Sequence, residues 1–232
     1  MTQALITGAN RGIGLEFTRR LLERGDRVVA TCRHPGRALE LTRLAGNHPG
    51  RLQVLALDVA SARSIADLAR EIEVLDLRID VLINNAGVLV EGEQFGAIEA
   101  KTLEQTFATN VTGPLLLTQA LAPRLADAGK VIVLASQLGS ISGCERFGTP
   151  SYAISKAALN MAARQLGHAL AERCIAVLAL SPGWVRTSMG GAQATLEVEE
   201  SVQRMLEVID RLRFDAQAIG TFLSHQGDVL DW

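Results

Sequence analysis

The sequence predicts an α/β protein, a doubly wound parallel sheet of about seven strands flanked by helices, in a single domain running from residue 1 to 232. Three observations predict it. Short apolar runs of the kind found in buried parallel strands recur at Ala4–Ile6, Lys130–Ala135 and Ile175–Leu180. Longer stretches with helical patterning lie between such runs. A glycine-rich turn, Thr7 to Gly14, sits between the first strand and the first helix, the context in which a dinucleotide-binding turn occurs. The alternation continues to the end without an internal repeat, low-complexity run or linker.

Composition narrows the function classes. Hydrophobic residues make up 48% and charged residues 21%, an ordinary globular balance. The net charge of −2 and the lack of any Lys/Arg cluster give no phosphate-tracking surface, so no nucleic-acid partner is expected. The longest apolar run, Ile175–Leu180, is far short of a membrane span, so no membrane partner is expected either. The chain reads Met-Thr-Gln and then enters a strand, which leaves no room for a signal peptide. Cys32, Cys144 and Cys174 are widely spaced, and His34, His48, His168 and His225 show no ligand spacing. A metal-free protein of the reducing cytoplasm is the expectation.

In the first unit, Ala4–Ile6 leads through Thr7-Gly8-Ala9-Asn10-Arg11-Gly12-Ile13-Gly14 into an amphipathic helix from about Leu15 to Glu23. Gly8 permits a tight turn, Gly12 lets backbone approach a pyrophosphate, and Gly14 lets helix and strand pack closely. Free amides and the helix dipole then face the phosphates. The second strand, Arg27–Thr31, ends in Cys32-Arg33 with no carboxylate for ribose hydroxyls. Arg33, with Arg11 in the turn, suits a 2′-phosphate, which favours NADP(H) over NAD(H); the alternative is that both are solvated loop residues. The third strand is Leu52–Leu57. Asp58, just before Val59, suits two roles equally: meeting an adenine edge, or capping the helix that begins near Ser61.

The fourth strand, Ile79–Ile83, runs into Asn84-Asn85-Ala86-Gly87, small residues that let a nucleotide lie against backbone. One helical stretch is expected from about Ala100 to Asp127, kinked or broken around Gly113-Pro114. Asn110 lies inside it, against propensity, which suggests a functional reason. The fifth strand ends next to Ser136, at the carboxyl edge where open α/β sheets bind ligands. Tyr152 and Lys156 then stand four residues apart on a helix running to about Glu172, so that the ammonium would pull the phenol below its usual pKa and poise it for proton transfer. After the sixth strand comes Ser181-Pro182-Gly183-Trp184-Val185-Arg186-Thr187, a loop able to close over a cofactor. Ser188–Glu199 reads as a flexible lid, Glu200–Leu212 as a helix and Thr221–His225 as the last strand.

TGANRGIG, NNAG, Asn110, Ser136, YAISK and PGWVRT, in this order over nearly the whole chain, resemble the short-chain dehydrogenase/reductase family and its Rossmann-type fold. The short C-terminal region is similar to that of the C-factor and sniffer-like carbonyl reductases within it. The resemblance implies an NADP-dependent oxidoreductase that moves a hydride between cofactor and a carbonyl or alcohol. It implies Tyr152 as general acid/base, Lys156 tuning it and binding the nicotinamide ribose, Ser136 on the substrate carbonyl, and Asn110 helping to hold a water that links Lys156 to solvent. It implies cofactor contacts at Thr7, Gly8, Asn10, Arg11, Gly12, Ile13, Gly14, Arg33, Asp58, Val59, Asn85, Ala86, Gly87, Pro182, Gly183, Val185 and Thr187, and a homodimer or homotetramer. Substrate selection is expected from Gln137–Thr149 and the lid. A dinucleotide-binding sensor or signalling protein with little turnover is the alternative, which the complete Ser-Tyr-Lys set disfavours.

Overall fold

The computed structural model describes every residue from Met1 to Trp232. Seven strands form one parallel sheet in the order β3-β2-β1-β4-β5-β6-β7. They are β1 (Gln3–Thr7), β2 (Arg27–Cys32), β3 (Leu52–Ala56), β4 (Ile79–Asn84), β5 (Leu125–Leu134), β6 (Ala176–Ser181) and β7 (Thr221–Ser224). The helices are α1 (Gly12–Glu23), α2 (Leu39–Asn47), α3 (Ala62–Val74), α4 (Ala100–Phe107), α5 (Gly113–Leu121), α6 (Pro150–Ala169) and α7 (Val198–Arg211).

Strand periodicity decides which helix covers which face. Ala4, Ile6, Val28, Ala30, Ile132, Leu178 and Leu180 point to one side, where Phe17 and Leu21 of α1, Leu41 of α2 and Val202 and Met205 of α7 bury them. Leu5, Val29, Val131, Val133, Val177 and Ala179 point to the other, against Leu68 of α3, Leu117 of α5 and Leu159 and Ala163 of α6. A sheet covered on both faces needs apolar residues at nearly every position, which explains why these strands read as continuous runs. The strand order reverses between β1 and β4, and the crevice beyond their carboxyl ends is where such a sheet takes ligands.

The middle of the chain departs from expectation. The long helix to Asp127 does not form: α5 stops at Leu121, a short 3₁₀ turn follows, and β5 starts at Leu125. Leu125 pairs with Ile79, the register then shifts, and Lys130 pairs with Val81. Ala128 takes up the extra length with φ +57°. Strand pairing here overrides the helical bias of an Ala-rich segment. The expected break near Gly113-Pro114 takes the form of a π-helical turn over Ala108–Thr112, centred on Asn110, which ends where α5 begins at Gly113. No helix is long and apolar enough to cross a membrane.

Candidate active site

The crevice encloses about 400 Å³. Its floor is the turn after β1. Gly8 has φ +64° and Gly12 φ +52°, both left-handed. Arg11 precedes α1 in an extended conformation and its side chain caps no amide, so the first N–H groups of the helix stay free for an anion. Gly14 acts by packing: a Cβ there would lie 2.5 Å from both the Gly8 carbonyl oxygen and Asn85 Nδ2.

Two residues expected to meet the cofactor, Thr7 and Asn85, also fasten the two sides of the crevice together. The amides of Asn85 and Ala86 donate to Thr7 Oγ1 at 3.0 and 2.9 Å. Asn85 Nδ2 donates to the carbonyls of Thr7 and Gly8 at 2.7 and 3.2 Å. Asn85 still lines the crevice with Ala86 and Gly87, whereas Thr7 and Gly14 lie behind its wall.

At the β2 end, Arg11, Arg33 and Arg37 all line the crevice. Thirteen ion pairs occur in the molecule, and none uses any of the three. Arg37 was not anticipated. It sits in a 3₁₀ turn, Pro35–Arg37, that returns it to the same edge as Arg33. The signal was present as two arginines four apart around a Pro-Gly bend. Asp58 also lines the crevice, and the capping alternative fails. Ser61 caps α3, accepting from the Ser64 amide at 3.2 Å, while Asp58 Oδ1 accepts from the Ala60 amide at 3.0 Å.

The other end holds Tyr152 and Lys156. Lys156 is 5% exposed, and burial pushes its ammonium down to about 8. Its Nζ donates to the Leu134 carbonyl and stands 5.4 Å from the centre of the Tyr152 ring. The phenol's pKa is raised, not lowered as expected. Burial disfavours the phenolate more than its surroundings favour it, and the opposing influence is the Ser136 hydroxyl, not Lys156. Ser136 ends the approach from β5, its Oγ accepting from the Leu138 amide at 3.2 Å.

Asn110 is fully buried and works through its side chain as a strut. Its Oδ1 accepts from the Val88 amide at 2.9 Å; its Nδ2 donates to the Val88 carbonyl at 2.9 Å and to Ser155 Oγ at 3.0 Å. It thereby joins the segment after β4 to α6.

The loop after β6 is held from behind. Pro182 and Thr187 line the crevice, with Ser188 and Met189 from the start of the segment read as a lid; Gly183 and Val185 do not. Gly183 has a left-handed φ of +80° that disfavours a side chain, and a Cβ there would also meet the end of the Leu196 side chain at 2.5 Å. Val185 bridges to Leu196, and the Arg186 and Leu196 amides donate to Leu196 O and Trp184 O at 2.8 and 3.0 Å. An Arg186–Glu197 ion pair of 2.6 Å closes the ring. The segment read as a flexible lid is thus pinned at its far end, and α7 begins inside it at Val198. The 137–149 segment is also tethered: the Ser142 amide and hydroxyl both donate to the Trp232 carbonyl at 3.1 Å. The Trp232 ring stacks on Phe222, with centroids 5.6 Å apart. A second hollow of about 370 Å³ lies by Gly167, Phe214 and Ile219 and contains none of these groups.

The pattern described as short chain dehydrogenase matches residues 2–197. The C-signal protein of Myxococcus xanthus is 39% identical over 156 residues, which span 66% of this chain and 93% of that protein. Among solved structures, the carbonyl reductase Sniffer of D. melanogaster matches with a TM-score of 0.94 at 33% identity, covering all of both chains. The NADPH-bound carbonyl reductase from chicken fatty liver matches with a TM-score of 0.93 at 37% identity, covering 100% of this chain and 99% of that one.

Proposed function

Because this chain belongs to the short-chain dehydrogenase family, we propose that it is an NADPH-dependent carbonyl reductase in which Tyr152 is the general acid. One observation carries the cofactor choice. Arg11, Arg33 and Arg37 converge on the crevice with no carboxylate to neutralise them, in a protein whose other arginines are largely paired. Guanidinium groups left free at one end of a dinucleotide-sized cleft suit a 2′-phosphate. The α1 amides and the side-chain-free space at Gly12 suit a pyrophosphate. The likeness to the NADPH-bound chicken enzyme supports the same choice. Asp58, Val59, Asn85, Ala86, Gly87, Pro182 and Thr187 form the walls along which the dinucleotide would lie, with Asn10 and Ile13 beside the turn.

NADPH, when bound, supplies the hydride. The chain supplies position and the proton. A phenol whose pKa is raised by burial is fully protonated at neutral pH, as an acid must be, and it gives that proton to the carbonyl oxygen as negative charge develops there. Ser136 donates to the same oxygen. Lys156, anchored to β5 through Leu134 O, brings a positive charge against the ring and offsets the phenolate that results. Asn110 keeps α6 and the β4 end in register.

The test is NADPH oxidation with aldehydes, ketones and quinones, run beside Tyr152→Phe. Turnover that the substitution removes is the expected result. Tight NADPH binding without turnover in the native chain would instead favour a signalling role, the second reading, which the 39% identity to C-signal supports. We place the protein in the cytoplasm as a homodimer or homotetramer. Its unpaired cysteines support the first point, and light scattering of the purified protein tests the second.

A further inference from the structure

The helix that carries Tyr152 is capped from a distance. Thr149, before α6, has left-handed dihedrals (φ +41°, ψ +54°), and its side chain caps no amide. Pro150 contributes no N–H. The first donor of the helix is therefore Ser151, which is fully buried. Its amide donates to Glu93 Oε2 at 3.2 Å, and its hydroxyl donates to Glu93 Oε1. Both carboxylate oxygens are thus directed at one residue, the neighbour of the reacting tyrosine.

Glu93 comes from the irregular segment between β4 and α4, 58 positions earlier. That segment is bent to deliver it: Gly92 and Gly96 have φ of +78° and +92°, and the Ala97 amide closes a turn on Gln94 O at 3.0 Å. Phe95, two residues on, meets Phe147 edge to face with centroids 5.9 Å apart. One turn into α6, Ser155 Oγ donates to the Tyr152 carbonyl at 2.7 Å while accepting from Asn110. Tyr152 therefore lies between two residues that are each held from outside the helix.

We propose that Glu93 is a positioning residue for the reaction: a long-range N-cap that sets the first turn of α6 and, through it, the Tyr152 phenol relative to Ser136. A carboxylate is favoured at a helix N-terminus, where the dipole is positive, and its bonds to N–H and O–H are charge-assisted. The phenol has to reach the oxygen that Ser136 holds, and an error of about 1 Å in such a placement can cost on the order of a hundred-fold in rate. Glu93 hydrogen-bonds only to Ser151, and neither residue lines the crevice that suits the dinucleotide, so its loss is expected to fall on the placement of the phenol and hence on the carbonyl side of the reaction. The inference rests on the reductase reading.

The experiment compares Glu93→Ala and Glu93→Gln with the native chain. It measures kcat and KM for a carbonyl, KM for NADPH, and hydrogen exchange of the peptide spanning Ser151–Ala153. Glu93→Ala is expected to lower kcat by about ten-fold, to leave KM for NADPH within about two-fold, and to speed exchange in the first turn. Glu93→Gln is expected to recover most of the rate, because its amide oxygen accepts from the Ser151 N–H and its amide nitrogen donates to the Ser151 hydroxyl. A native rate in Glu93→Ala, or an equal loss of NADPH affinity, overturns the proposal. If the native chain reduces no carbonyl, the reductase reading fails by itself. The exchange rates then decide the cap, and unchanged exchange in Glu93→Ala refutes it.

Discussion

Replacing Gly14 by alanine isolates the packing of α1 against the β1 turn. Gly14 is helical, so the substitution brings no backbone strain and slightly favours the helix. The cost is steric. The new Cβ would lie 2.5 Å from the Gly8 carbonyl and from Asn85 Nδ2, about 0.9 Å inside ordinary contact at 3.4 Å. Neither neighbour yields easily. Gly8 is backbone in a tight turn, and Asn85 is tied to Thr7. The start of α1 must therefore move outward, taking its free amides from the phosphate site. Overpacking of this kind costs about 1–3 kcal/mol, which in a domain of this size lowers Tm by roughly 2–12 °C. Gly46→Ala is the control: it also lies in a helix, α2, but meets nothing within 4 Å. It should be neutral or raise stability by up to about 1 kcal/mol. Thermal melts by circular dichroism and NADPH titration by fluorescence read both effects. Gly14→Ala with native Tm and native NADPH affinity would refute the packing argument.

Other expectations follow from the same geometry. Burial holds the Lys156 ammonium at about 8, below the usual 10.5. Below pH 8 it is charged whether folded or unfolded, so its burial cost is fully present; between pH 8 and 10.5 the unfolded chain binds more protons, and stability rises with pH. Lys156→Met should be the more stable protein at pH 7 and lose that rise, and urea midpoints at pH 7 and 9.5 that shift in parallel in the two proteins would contradict this. Arg33→Asp should weaken NADPH by about ten- to a hundred-fold while leaving NADH nearly unchanged, and Arg37→Ala should do the same less strongly. An unchanged NADPH-to-NADH affinity ratio in fluorescence titration would remove both residues from the 2′-phosphate site.

Much of this architecture was legible in the residues, for identifiable reasons. Strands buried on both faces announce themselves as apolar runs, and the glycines signal a left-handed backbone at Gly8 and Gly12 and close packing at Gly14. What stayed hidden depended on long-range partners. The start of β5 reads as helix because Leu125–Ala128 is favourable helical sequence, and only pairing with Ile79 makes it strand. The π turn at Asn110 has no composition signal, although the misplaced polar residue did point to something irregular. The direction of the Tyr152 shift was misjudged because helical spacing gives proximity to Lys156 but not burial, and burial is the larger influence. The polar composition of the lid segment gave no sign of the bridge from Val185 to Leu196 that anchors its far end.

The Trp232 carbonyl accepts both bonds from Ser142, and its ring stacks on Phe222 and meets the Arg164 guanidinium, 5.5 Å from the ring centre. A residue ninety positions downstream is thus part of the rim that borders Ser136. Anyone redesigning substrate preference by randomising 137–149 would be varying one half of a joint. Libraries that vary Trp232 and Phe222 together with the rim would sample backbone placements that rim substitutions alone leave fixed.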